Sequence, residues 1–177
     1  MRVCGVDDAG RGPVIGPLVI AGITIDEKKI DELRSLGVKD SKMLIALLEA
    51  KVMAQVIEKL KPDVAYVDSS DTRTDRFKNN ILDRLTFTPR IVSEHKADIN
   101  YAVVSAASIM AKVRRDTRID ELKRQYGEIG SGYAHDPATA RFLRDYYSKH
   151  GDFPPIVRRS WKTLRNIVAD LAQTSLV

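Results

Sequence analysis

The sequence holds a single cysteine, Cys4, which excludes an internal disulfide, and its apolar neighbours read as those of a small buried hydrophobe rather than a reactive thiol. Long apolar runs are missing as well. Nothing approaches the roughly 20 consecutive residues that a membrane-spanning helix needs. The opening Met1-Arg2-Val3-Cys4-Gly5 passes straight into a strand-like pattern, so no signal peptide is expected and a cytoplasmic protein is. Repeats, low-complexity stretches and linker-like segments are also absent, so the 177 residues are expected to form one domain. What is present is a globular composition: 44% hydrophobic residues exclude disorder, and 30% charged residues supply a soluble surface.

The net charge of +5 is unevenly placed. Residues 112–165 carry 13 Lys and Arg against 7 Asp and Glu, and the rest of the chain is close to neutral. A basic C-terminal half beside a carboxylate-bearing N-terminal half suits a nucleic-acid enzyme, although solvated helix faces would give the same balance. The basic residues alternate with acids instead of forming a polybasic run, which disfavours a membrane surface as partner.

Residues 2–7 and the β-branched run 17–25 predict two strands, joined through Asp7-Asp8-Ala9-Gly10-Arg11-Gly12-Pro13 in a hairpin-like connection. A helix is expected over 26–36 with Gly37 as its cap, and another over 44–60 with Leu44, Leu47, Leu48, Val52, Val56 and Leu60 on its apolar side. A short strand at 64–67, a polar helix near 73–84 and a strand at 90–94 follow. A long helix from Asp98 or Asn100 to Tyr126, a loop over 130–137 and helices at 138–149 and near 160–172 complete the chain. The pattern is that of a mixed-sheet α/β domain.

Four carboxylates lie at or near expected element ends: Asp7 and Asp8, Asp68, and Asp98. Any one of them could be a cap or turn residue, and Asp98 taken singly reads equally as one. Strand ends are where side chains can project into a shared cleft, and converging carboxylates repel unless protons or cations neutralise them. Hard divalent cations, Mg²⁺ or Mn²⁺, are the natural counter-charge.

The segments Gly5-Val6-Asp7-Asp8-Ala9-Gly10-Arg11-Gly12-Pro13, Asp40-Ser41-Lys42, Tyr66-Val67-Asp68-Ser69 and Glu94-His95-Lys96-Ala97-Asp98 together resemble ribonuclease HII of the archaeal type. Ala106-Ala107-Ser108-Ile109-Met110-Ala111-Lys112-Val113, Gly130-Ser131-Gly132-Tyr133 and Val157-Arg158-Arg159-Ser160-Trp161 continue the resemblance in order. It implies a ribonuclease H-like mixed sheet flanked by helices, with a catalytic core over 1–127 and a C-terminal helical part over 128–177. It also implies a two-metal phosphodiesterase acting on RNA–DNA hybrids and on ribonucleotides embedded in duplex DNA, expected to work as a monomer with Mg²⁺ or Mn²⁺. Asp7, Asp8, Asp68 and Asp98 take the places of the catalytic, metal-binding carboxylates. Gly10, Arg11 and Gly12 take those of the segment that reads the ribose 2′-hydroxyl. Tyr133 corresponds to a tyrosine stacking on the sugar at an RNA–DNA junction, and Ser41, Lys42 and Lys112 to phosphate contacts.

Two departures accompany the resemblance. Asp8 stands where the family has glutamate, one methylene longer, and Met43 runs directly into Leu44 where the family carries the rest of a helix and a strand. One sheet strand is therefore expected to be missing. The alternatives that follow are a hybrid-binding module whose cutting has been lost, and a ribonuclease HIII.

Overall fold

The computed structural model describes residues 1–30 and 46–174. The expected cap Gly37, most of the expected helix 26–36, and Ser41 and Lys42 lie outside the described residues. The chain divides into two units, one formed by Met1–Arg11 with Leu18–Arg114, the other by Gly12–Pro17 with Arg115–Val177.

The first unit is built on a sheet. Strands β1 (Arg2–Ala9), β2 (Val19–Asp26), β3 (Val64–Asp68) and β4 (Arg90–Glu94) stand in the order β2-β1-β3-β4. β2 pairs antiparallel to β1 from Arg2↔Asp26 to Ala9↔Val19, while β3 lies parallel to β1 and β4 parallel to β3. Helices α1 (Ala46–Leu60), α2 (Thr74–Leu82), the short α3 (Ala97–Asn100) and the first half of α4 (Ala102–Tyr126) flank the sheet. Central strands covered on both faces bury side chains of both parities, and β1 does so from Val3 to Ala9. β2, an edge among the described strands, is only half-buried up to Ile25.

Side-chain alternation assigns the two faces. Cys4, Val6, Ala65, Val67 and Ile91 pack with Ala50, Met53, Ala54 and Ile57 of α1 and with Phe77 and Ile81 of α2. Tyr66, Ile23 and Ile25 pack on the other face with Ala97, Val103 and Val104. Gly5 is what lets α4 approach there: a Cβ at this position would collide with the Val103 backbone. Helix α1 lies within the expected span, but its buried stripe runs through Ala50, Met53, Ala54 and Ile57, with Val52, Val56 and Leu60 only half-buried. Ala50 and Ala54 let the helix sit close to the sheet, and Met53 and Ile57 fill the space beside them.

The second unit is helical. α5 (Pro137–His150), α6 (Lys162–Thr174) and the second half of α4 enclose a core of Val14, Ile15, Ile119, Leu122, Ile129, Leu143, Phe153, Val157, Leu164 and Ile167. Asp136 caps α5, accepting from the Ala138 amide at 2.9 Å ahead of Pro137 in the first turn. No helix of the described residues is long and apolar enough to cross a membrane.

Candidate active site

Parity and pairing bring Asp7 and Asp68 together. Val6 stands opposite Val67 on the neighbouring parallel strand, so the next residue of each, Asp7 two residues short of the end of β1 and Asp68 at the end of β3, lies on the α4 face of the sheet. Both are buried, as is Asp98 on α3. Burial pushes the Asp7 carboxyl up to about 8, with Asp68 and Asp98 adding to the rise and the Ser108 hydroxyl and the Arg11 charge opposing it. Asp68 is raised by burial too, held back by the Ala97 amide, which donates to its Oδ1 at 2.8 Å, and by the charges of Arg11 and His95.

The donor set fits a hard cation. Asp7 Oδ2 is buried without a hydrogen-bond donor, beside two further carboxylates, and a divalent ion would satisfy it. No group of three or more His, Cys, Asp or Glu side chains among the described residues is already drawn close enough to hold a metal. Ligand chemistry is in place, and the ligand shell is not closed.

Asp8 takes a different course. One residue on from Asp7, its side chain shares parity with Cys4 and Val6 and so belongs to the α1 side, where it pairs with Arg11. The Arg11 Nε lies 2.8 Å from Glu49 Oε1 of α1, and all three side chains are buried. Arg11 is therefore directed into the protein, between the half-buried Gly10 and Gly12. Lys112, half-buried, sits one turn beyond Ser108 on the same stripe of α4.

In the helical unit, Gly12 and Tyr133 are neighbours: a Cβ on Gly12 would stand 3.4 Å from the tyrosine ring. The loop bearing Tyr133 is fastened on several sides. The Gly132 carbonyl accepts from the Val14 and Ile15 amides at 2.8 and 3.0 Å, and its amide donates to the buried Thr139 hydroxyl at 3.0 Å. Gly132 holds φ 83°, and a Cβ there would press on the Ile15 carbonyl, so no other residue fits. Asp136 accepts from both the amide and the hydroxyl of Ser131 at 2.6 Å. The Arg115 guanidinium lies 5.2 Å from the Tyr133 ring centroid and donates to the Ser131 carbonyl at 2.8 Å.

The sequence profile of the family described as Ribonuclease HII matches residues 4–58 and 45–164. The chain belongs to the ribonuclease HII family. A ribonuclease HII of Thermococcus sibiricus is 44% identical over 204 aligned residues, covering 94% of this chain and 91% of the relative. The ribonuclease H2 of Pyrococcus horikoshii OT3 superposes with a TM-score of 0.87 at 44% identity, covering 98% of this chain and 100% of that one. A Bst-RNase HIII solved in complex with Mn²⁺ gives a TM-score of 0.75 at 19% identity, over 98% of this chain and 71% of its own, and shares the fold alone. Ribonucleases HII are metal-dependent endonucleases acting on RNA–DNA hybrids, and the fold and enzyme class expected from the residues are those of this family. The alignment is longer than this chain's 177 residues, so the relative carries positions that are missing here.

Two residues that the structure places against the expected site residues were not assigned from the sequence. Ser108 lies within a quoted motif, but only packing shows that its hydroxyl faces Asp7. Glu49 lay hidden in the amphipathic pattern of α1; its signal is a carboxylate four and eight residues ahead of the buried Met53 and Ile57.

Proposed function

We propose that the protein cuts the RNA strand of RNA–DNA hybrids and nicks duplex DNA on the 5′ side of an embedded ribonucleotide, leaving 3′-hydroxyl and 5′-phosphate ends. Asp7 carries this reading: a buried carboxylate with an oxygen lacking a donor, raised to about 8 beside Asp68 and Asp98, calls for cations before a polyanion can approach. Two Mg²⁺ or Mn²⁺ ions held by Asp7, Asp68 and Asp98, with Asp8 as the fourth carboxylate, would supply the charge that activates water and offsets the leaving oxygen. The Ala97 amide orients Asp68, and the Ser108 hydroxyl faces Asp7 and lowers its carboxyl pKa. With its side chain turned inward, the tripeptide Gly10-Arg11-Gly12 reads the 2′-hydroxyl through its backbone. Tyr133, fixed beside Gly12 and braced by Arg115, offers a flat face to a deoxyribose. Lys112, with Ser41 and Lys42, holds phosphates. The protein acts as a cytoplasmic monomer, residues 1–127 forming its catalytic core and 128–177 a substrate-binding part.

The test is a duplex bearing one ribonucleotide, incubated with Mg²⁺ or Mn²⁺. A nick 5′ of the ribonucleotide is expected, and a folded protein that makes none refutes the reading. One observation favours a second reading, a hybrid-binding module with weakened cutting: Asp8, a methylene shorter than the family's glutamate, is engaged by Arg11. Under that reading the wild type binds hybrid in chelator without product, with affinity falling steeply in salt. Cleavage gained by Asp8→Glu would then place the weakness at this ligand, and continued inertness would place it at the positions missing after Met43.

A further inference from the structure

Among the described residues of the sheet unit, the most deeply buried charges outside the Asp7 cluster are Asp8, Arg11 and Glu49. The Arg11 side chain is 1% exposed and that of Glu49 0%, with 2.8 Å between Nε and Oε1. An ionised carboxylate at such depth is costly to desolvate and is retained only against a charged partner in contact. An apolar side chain would fill position 49 without that penalty, as Met53 and Ile57 do one and two turns further along α1. Packing alone therefore does not account for a glutamate here.

The position of Arg11 accounts for it. Arg11 is the middle residue of Gly10-Arg11-Gly12, and its guanidinium is tied to the end of β1 through Asp8 and to the first turn of α1 through Glu49. A turn that recognises a hydroxyl with backbone groups can discriminate only as well as its backbone is held, because a displacement of a few tenths of an ångström spoils a hydrogen bond. Its flanking glycines give it no stiffness of their own. The buried ion pairs supply what the glycines lack.

We propose that Glu49 is a positioning residue for the ribonucleotide-reading turn, acting through Arg11. The inference rests on the reading of Gly10-Arg11-Gly12 given under the proposed function.

The experiment measures binding of the full chain, in chelator, to a duplex with one ribonucleotide and to the same duplex made wholly of DNA, for wild type, Glu49→Gln, Arg11→Gln and the double variant. Glu49→Gln should lose the preference for the ribonucleotide by about tenfold while binding the all-DNA duplex as the wild type does, and should add nothing to Arg11→Gln. Preference retained in Glu49→Gln, losses that multiply in the double variant, or equal weakening on both duplexes overturns the proposal; the last outcome is that of a merely structural residue. If Glu49→Gln does not fold, Glu49→Asp keeps the charge on a shorter arm and should show the same selective loss, and wild-type preference there is equally fatal. Gly12→Ala separates the underlying reading from the proposal. Its Cβ would lie 3.4 Å from the Tyr133 ring, close contact but no collision. A folded Gly12→Ala that keeps full ribonucleotide preference refutes the turn as the reader, whatever Glu49 does.

Discussion

Replacing Asp7 by asparagine should stabilise the metal-free protein, and by more at pH 9 than at pH 5. Burial, with Asp68 and Asp98 nearby, raises this carboxyl from 3.8 to about 8. Between those values the folded protein holds a proton that the unfolded chain has released, so stability falls as pH rises through the window, and the whole penalty is present above it. A rise of about four pH units at about 1.36 kcal/mol each sets a ceiling near 6 kcal/mol. Water reaching the strand end and small shifts of the side chain will relieve much of that, leaving about 1–3 kcal/mol. For a chain of this size that corresponds to a gain of roughly 3–10 °C in Tm at pH 9. Thermal melts of wild type and Asp7→Asn in chelator at the two pH values measure it directly, and repeating them with Mn²⁺ reverses the order, because the cation binds the charged ligand in preference to its amide. An Asp7→Asn protein no more stable than wild type at pH 9 without metal, or equal stabilisation of both by Mn²⁺, would refute the reasoning.

Tyr133→Phe should keep most activity, whereas Tyr133→Ala should lose selectively on single-ribonucleotide duplexes and less on long hybrids; equal losses on both would mark the tyrosine as support for its loop. Gly5→Ala should destabilise by about 3 kcal/mol or more, read from urea melts, because its methyl group meets the α4 backbone at Val103 and neither element can move away cheaply. Asp136→Asn should lower Tm at neutral pH. The Ser131 hydroxyl and amide and the Ala138 amide hold the Asp136 carboxyl well below the usual carboxylate range, so its contribution is present above that range and lost as pH falls through its lowered value. The Tm difference from wild type should therefore shrink in strong acid, and a difference independent of pH would contradict the cap.

Strands, helices and their punctuation are local properties, and the sequence by itself determined them. β-branched runs announced β1 and β2, and apolar periodicity announced α1. The ordered motifs also determined the family, since each is a short contiguous string. Which stripe of α1 is buried was another matter. Its apolar residues encircle the helix, so periodicity offered Val52, Val56 and Leu60 as readily as Ala50, Met53, Ala54 and Ile57, and packing against the sheet and α2 selected the second set.

The division between Asp7 and Asp8 was likewise out of reach of sequence reading. Adjacent residues on a strand point to opposite faces, but which face receives α4 and which receives α1 depends on register and on the crossover connections. Once those were set, Asp7 met Asp68 and Ser108, while Asp8 met Arg11 and, through it, Glu49. Gly12 and Tyr133, more than a hundred residues apart, became neighbours for the same reason. Local patterns follow from the backbone's own repeat and can be read one residue after another. Contacts between distant segments are settled by the packing of the whole fold, and only the tertiary structure decided which of the expected site residues meet.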